Sequence, residues 1–292
     1  GLSLFDLNTR QRRSIRPGDP KGRIGPRRNW DAWGPGVQEP ELGNAMAPAN
    51  WDGPFLISTH DANTIYAGTN ILWKSLDGGS SWMSLGELTT DVVRRNLPIM
   101  GVVPHDTTLS LDDGIPYYPT LTAVAESPKN PTILFVGTDD GNVQVSRDAG
   151  KTWTEVSGRM TGLPDDAWIN GIEASRFDAA TVYVAINNYR NNDFENYLYK
   201  SSDYGKSWTS ITGNLPVRRV VRTVREDTRN RNLLYLGTEL GLFVSFDGGD
   251  HWIEVRNNMP LMAINDLVIH PRDNDLVLGT HSRGVWILDN LN

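Results

Sequence analysis

Apolar runs along this chain are short, and Gly, Asp, Asn or Pro interrupts each of them after a few residues. The runs Leu121 to Ala125, Val143 to Val145, Ile169 to Ala174, Val220 to Val224, Ile253 to Val255, Ile264 to Ile269, Leu276 to Gly279 and Val285 to Leu288 are rich in β-branched residues. Their length and their flanking turn residues predict β-strands, with no long helical period. Between such runs the pattern S-x-D-x-G-x-x-W occurs four times, from Ser75 to Trp82, Ser146 to Trp153, Ser201 to Trp208 and Ser245 to Trp252. A short Asp in a tight turn accepts backbone N–H groups one to three residues ahead, and the following Gly tolerates a positive φ. Asp77, Asp148, Asp203 and Asp247 are therefore expected to brace hairpin turns, and Trp82, Trp153, Trp208 and Trp252 to fold their rings back onto the sheet.

A longer repeat surrounds the short one. Ahead of each turn lies a segment with a polar start and an aliphatic-aromatic core that ends on or near Gly-Thr. It runs over Ser58 to Asn70, Glu126 to Thr138, Ser175 to Asn187, where Ala185-Ile186 stands in place of Gly-Thr, and Glu226 to Thr238, and a fifth copy without a following Asp turn runs over Ile269 to His281. One repeat then holds strand, turn, strand, Gly-Thr loop, strand, Asp turn, strand. Four antiparallel strands at a period of roughly 40–50 residues are the sequence form of a β-propeller blade. The expected fold is all-β, a β-propeller of four-stranded antiparallel blades, either a closed ring of five or six blades or part of a larger ring.

The chain resembles the Asp-box (BNR repeat) propellers found in sialidases, two-propeller xyloglucanases, sortilin/VPS10 ectodomains and a photosystem II assembly factor. The stretches Gly137 to Asp148, Ile269 to Asp275 and Gly284 to Asp289 are especially similar to large secreted bacterial proteins of sortilin-like or glycosyl-hydrolase-like type. The resemblance covers about residues 50 to 290 and speaks for fold far more than for function, since one propeller scaffold hosts unrelated activities. It implies export, and so a periplasmic or extracellular setting. With no cysteine there is neither a disulfide framework nor a thiolate metal site.

A single propeller domain over 1–292 is expected, with residues 1–17 a hairpin that closes the ring and 54–292 the blades. Residues 18–53, rich in Gly, Pro, Arg and Trp, read as an irregular wrapping segment, and 84–119 as a long loop. Eight Lys/Arg against two Asp give the first 28 residues +6, which leaves −13 on the rest of a chain of net charge −7. A basic arm on an acidic body suits an acidic protein partner or anionic headgroups, with Arg12, Arg13, Arg16, Arg27 and Arg28 as docking residues. It does not suit nucleic acid, whose phosphates the body would repel.

The loops after the Gly-Thr elements hold equivalent places and should gather around the central channel. They supply Asn70, Asp139, Asp140, Asn187, Glu239, His281 and Arg283, of which Asp139, Asp140, Glu239, His281 and Arg283 are the candidate ligand-binding set. No metal or cofactor is expected: Asp273-Asn274-Asp275 lacks the rest of a calcium loop. Carboxylates are plentiful, but no pair stands out by spacing as the two acids that flank a glycosidic bond about 5–9.5 Å apart. Arg23-Ile24-Gly25-Pro26 departs from the sialidase Arg-Ile-Pro motif by the inserted Gly. Two readings follow: a non-catalytic scaffold that docks a protein partner or larger assembly, such as the extrinsic face of a membrane complex, and an exported glycan-active enzyme or carbohydrate-binding module.

Overall fold

The structure, a computed structural model, describes residues 2–17, 49–50, 53–90, 96–98, 101–103, 105, 107 and 118–291. The wrapping segment 18–53, apart from Ala49, Asn50 and Gly53, and most of the long loop 84–119 beyond Thr90 lie outside the described residues. Strands β1 (Ser3–Phe5) and β2 (Arg12–Ser14) form a hairpin. The first sheet is β3 (Phe55–Ile57), β4 (Ile65–Gly68), β5 (Ile71–Ser75) and β6 (Met83–Glu87). The second is β7 (Leu121–Ser127), β8 (Asn130–Thr138), β9 (Val143–Ser146) and β10 (Thr154–Glu155), and the third β11 (Trp168–Ala174), β12 (Val182–Asn188), β13 (Asp193–Ser201) and β14 (Thr209–Ser210). The fourth is β15 (Val221–Glu226), β16 (Leu234–Thr238), β17 (Gly241–Ser245) and β18 (Ile253–Val255), and the fifth β19 (Ile264–Ile269), β20 (Leu276–Thr280) and β21 (Val285–Leu288).

Within each sheet, consecutive strands pair antiparallel in chain order. The apolar residues of β8 and β12, of β12 and β16, and of β16 and β20 interleave between neighbouring sheets, so the core is a series of layers, each shared by two sheets. Leu134, Phe135 and Val136 illustrate this: none is exposed, because in a central strand both faces meet another sheet.

The Asp turns do more than the sequence suggests. Asp77 Oδ1 accepts Ser80 N at 2.9 Å and Ser81 N at 2.8 Å, while its Oδ2 accepts the Ser81 hydroxyl at 2.7 Å. Asp148, Asp203 and Asp247 likewise accept the backbone N–H of Thr152, Ser207 and His251 at 2.9 Å. The reach is therefore three and four residues ahead, within a connection far longer than a two-residue hairpin: the strand ends that pair are Lys74 with Met83 and Val145 with Thr154. Each Trp donates its indole N–H away from its own hairpin, to a carbonyl of the preceding element. Trp82 meets Ile15 O, Trp153 Leu85 O, Trp208 Val156 O and Trp252 Ile211 O, at 2.8–3.0 Å. The same four residues sit against the turn glycines Gly79, Gly150, Gly205 and Gly249, where a Cβ would come within 2.7–2.8 Å of them. The Gly is there for close approach as well as for its positive φ.

Ile15 follows β2 as Ile211 follows β14, so the hairpin occupies the seat that an outer strand takes before every later sheet. The ring-closing role expected of residues 1–17 has no ladder to match it among the described residues. β1 and β2 pair with each other, Arg13 reaches Ser80 Oγ at 3.1 Å, and the fifth sheet keeps three strands.

A second bond set joins sheets in pairs. Glu226, buried on β15, accepts Ser175 Oγ at 2.8 Å, Arg176 N at 2.7 Å and the Tyr183 hydroxyl at 3.1 Å from the third sheet. Glu126 does the same for Ser58 Oγ, Thr59 N and Tyr66. Burial, with the adjacent carboxylate second, pushes both phenols above their ordinary pKa. In denaturant unfolding, Glu226→Gln and Tyr183→Phe should each destabilise by about 1–3 kcal/mol, and the double variant by clearly less than their sum.

The turn carboxylates Asp77, Asp148 and Asp203 are held down to about 2, first by the hydroxyl four residues on, and Asp247 to about 2, first by the His251 N–H. A depressed pKa gives stability that is present above the unfolded value and is lost as pH falls from about 4 to about 2. Urea midpoints should drop across that window, and Asp148→Asn with Asp203→Asn should reduce the drop.

Candidate functional site

Ladder register places Asn70, Asp139, Asn187, Glu239 and His281 at one position. Each lies five residues beyond the residue that pairs with the end of the next strand: Ile65 with Ser75, Leu134 with Ser146, Val182 with Ser201, Leu234 with Ser245 and Leu276 with Leu288. The equivalence expected from the sequence is thus real, but the side chains do not converge on one ligand. Asp139, Asn187 and Glu239 turn back onto the inner strand of their own sheet or the residue just before it, and Asn70 onto the outer strand β6. Asp139 accepts Thr120 N at 2.6 Å and the Thr120 hydroxyl at 2.8 Å. Asn187 donates to Asn170 at 2.9 Å, Glu239 pairs with Arg222, and Asn70 reaches Glu87 at 3.5 Å. Asp140 is buried and accepts Thr90 N at 2.6 Å and Asn142 Nδ2 at 3.1 Å. His281 and Arg283 are exposed on the loop of the fifth sheet and join neither cavity described below.

The channel itself is lined by residues that sequence patterns do not reveal. In the second to fifth sheets the ladder of the inner strand slips by one residue, between Leu121 and Ala123, Ile169 and Gly171, Val221 and Thr223, and Ile264 and Asp266. Each β-bulge frees one side chain, namely Thr122, Asn170, Arg222 and Asn265, and all four line a cavity of about 380 Å³ that Phe55 and Asp266 also border. Arg225 crosses it to Asp266 at 2.6 Å and lies 3.8 Å from Glu173. The four bulged residues are not of one type, so no composition signal marks them.

A second cavity, of about 200 Å³, opens between the second and third sheets, with Asp139, Asp165, Asp166, Trp168, Asn187 and Arg190 in its wall. The Arg190 guanidinium stacks 3.9 Å over the Trp168 ring. Burial pushes the Asp139 carboxyl up to about 8 against the opposing bonds from Thr120, and Asp166 is also raised, by burial first and then by Asp140 and Asp165. Among the described residues, no three acidic or histidine side chains group as a metal site. No helix among them is long and apolar enough to cross a membrane.

On the hairpin, Arg12 and Arg13 are exposed opposite Phe5 and Leu4, which are 53% and 42% exposed, and Arg16 is half-buried. Arg27 and Arg28 lie outside the described residues.

No family model matches the chain. Over 143 residues, 44% of this chain and 14% of the relative, it is 29% identical to a xyloglucanase of Paenibacillus sp. The solved GH74 xyloglucanase of Xanthomonas campestris superposes with a TM-score of 0.58 at 18% identity, over 82% of this chain and 36% of that one. The Niastella koreensis GH74 enzyme gives 0.55 at 18% identity over the same shares. An extracellular domain assigned to a one component system of B. thetaiotaomicron gives 0.52 at 17% identity, over 85% and 27%. The chain thus spans well under two thirds of these proteins. Its fold is that of a β-propeller, with the four-stranded antiparallel sheets that GH74 xyloglucanases share.

An acid whose folded pKa is raised contributes stability that is full below its unfolded value and is lost as pH climbs to the folded one. The urea midpoint should therefore fall between about pH 4 and about pH 8 on account of Asp139. Asp139→Asn, which keeps an acceptor for Thr120 N, should flatten that slope.

Proposed function

We propose that the chain is a non-catalytic propeller scaffold of the Asp-box (BNR repeat) type, sortilin/VPS10-like, which holds a protein partner in a periplasmic or extracellular setting. The observation that carries this reading is the fate of the channel-end carboxylates. Asp139, Asp140 and Glu239 are each committed to Thr120, Thr90 or Arg222 of the sheet ends. A glycosidase needs one carboxylic acid and one carboxylate free to face the bond between them. The exposed hairpin, basic along β2 and apolar at Leu4, Phe5 and Leu7, supplies a docking face for an acidic protein surface, such as the extrinsic part of a membrane complex.

A second reading, a glycan-active enzyme or carbohydrate-binding module, is favoured by the 29% identity to a xyloglucanase. Native mass spectrometry of the protein isolated from its source separates the two. A partner polypeptide should be retained by the wild type and lost from Arg12→Glu with Arg27→Glu and Arg28→Glu at unchanged urea midpoint. Hydrolysis of xyloglucan oligosaccharides that disappears in Asp139→Asn would overturn the scaffold reading.

A further inference from the structure

The wall of the cavity between the second and third sheets has an unusual polarity, which a chain of hydrogen bonds fixes. The Arg222 carbonyl can only accept, so the Asn170 side chain must present its Nδ2 to it. Asn170 Oδ1 then accepts, and the partner atom on Asn187 must be Nδ2, at 2.9 Å. No amide flip is left open. The remaining atom, Asn187 Oδ1, is an acceptor on a side chain with no exposure, and it has no donor among the described residues. Asn187 lines the cavity, as do Asp165 and Asp166. The neighbouring cation, Arg190, is committed to the faces of Trp168 and Tyr189 at 3.9 and 4.8 Å. The pocket thus offers a buried acceptor and acidic groups, with apolar surface from Tyr118 and Leu97 beside them.

We propose that this cavity binds a primary alkylammonium group, its N–H donors on Asn187 Oδ1 and the carboxylates of Asp165 and Asp166, its alkyl stem against Tyr118 and Leu97. A neutral hydroxyl could meet the Asn187 acceptor, but only a cation also relieves the crowding of carboxyls around Asp166, whose pKa is raised by burial first and then by Asp140 and Asp165. A cavity of about 200 Å³ accommodates a lysine-sized stem. The ammonium can come from a free amine or from a lysine side chain, and the site stands whether or not the chain is a protein scaffold.

Isothermal titration at pH 7 with cadaverine and with Nα-acetyl-lysine methylamide tests the site, with 1-pentanol and cellotetraose as neutral controls. Saturable binding of both amines marks a general ammonium site, and binding of the lysine derivative alone marks a peptide site. Asp166→Asn, which suits the positive φ of 57° there, together with Asp165→Asn on the rim, should weaken either at least about tenfold without a fall in urea midpoint. Asn187→Leu reports on the buried acceptor but removes the bond to Asn170, so the rim pair is the deciding variant. Absence of amine binding, equal binding of 1-pentanol, displacement by cellotetraose, or indifference to the rim substitutions overturns the proposal.

Discussion

Everything in this molecule depends on how one sheet grips the next. A four-stranded sheet cannot bury two apolar faces by itself, so each sheet is stable only against its neighbours. The grip is the same at four places: an indole N–H on the carbonyl of the preceding element, with that element's side chain seated on a glycine that leaves it room. The Asp holds the turn in the shape that presents both. Its carboxylate faces water, yet it is fully used, so the turn is rigid at the one point where the next layer must register. The hairpin β1–β2 shows that the socket is indifferent to what precedes it, since Ile15 fills the first socket as Leu85, Val156 and Ile211 fill the others.

The inner rim follows a different logic. Apolar alternation along the inner strands would leave a channel lined with aliphatic groups. The bulge near the start of each inner strand from the second sheet on breaks the alternation and turns one residue toward the axis. The residues after the Gly-Thr elements then close the sheet ends by bonding to those inner strands, as Asn187 does to Asn170 and Glu239 to Arg222. Side chains that look from the sequence like a converging ligand set are in this way largely consumed by structure. What remains open is Asn187 Oδ1 and the acids at the rim of the neighbouring cavity.

Superposition on GH74 xyloglucanases at 18% identity speaks for the layered scaffold and for nothing finer. The likeness to an extracellular domain assigned to a one component system makes the same point. Function must be sought where the repeat is broken or its groups are left unpaired.

The sequence by itself determined the strand count per repeat, the Asp turns and the equivalence of Asn70, Asp139, Asn187, Glu239 and His281, because these depend on local turn chemistry and on short apolar runs between turns. It also marked Trp82, Trp153, Trp208 and Trp252, though as anchors within their own hairpins. Only the tertiary structure decided that their indoles reach the preceding element and that Glu126 and Glu226 clasp tyrosines of another sheet. It alone also showed that Thr122, Asn170, Arg222 and Asn265 line the channel. Those choices rest on distances between residues far apart in the chain, and a hydrogen bond between two sheets leaves no periodicity in either strand that makes it.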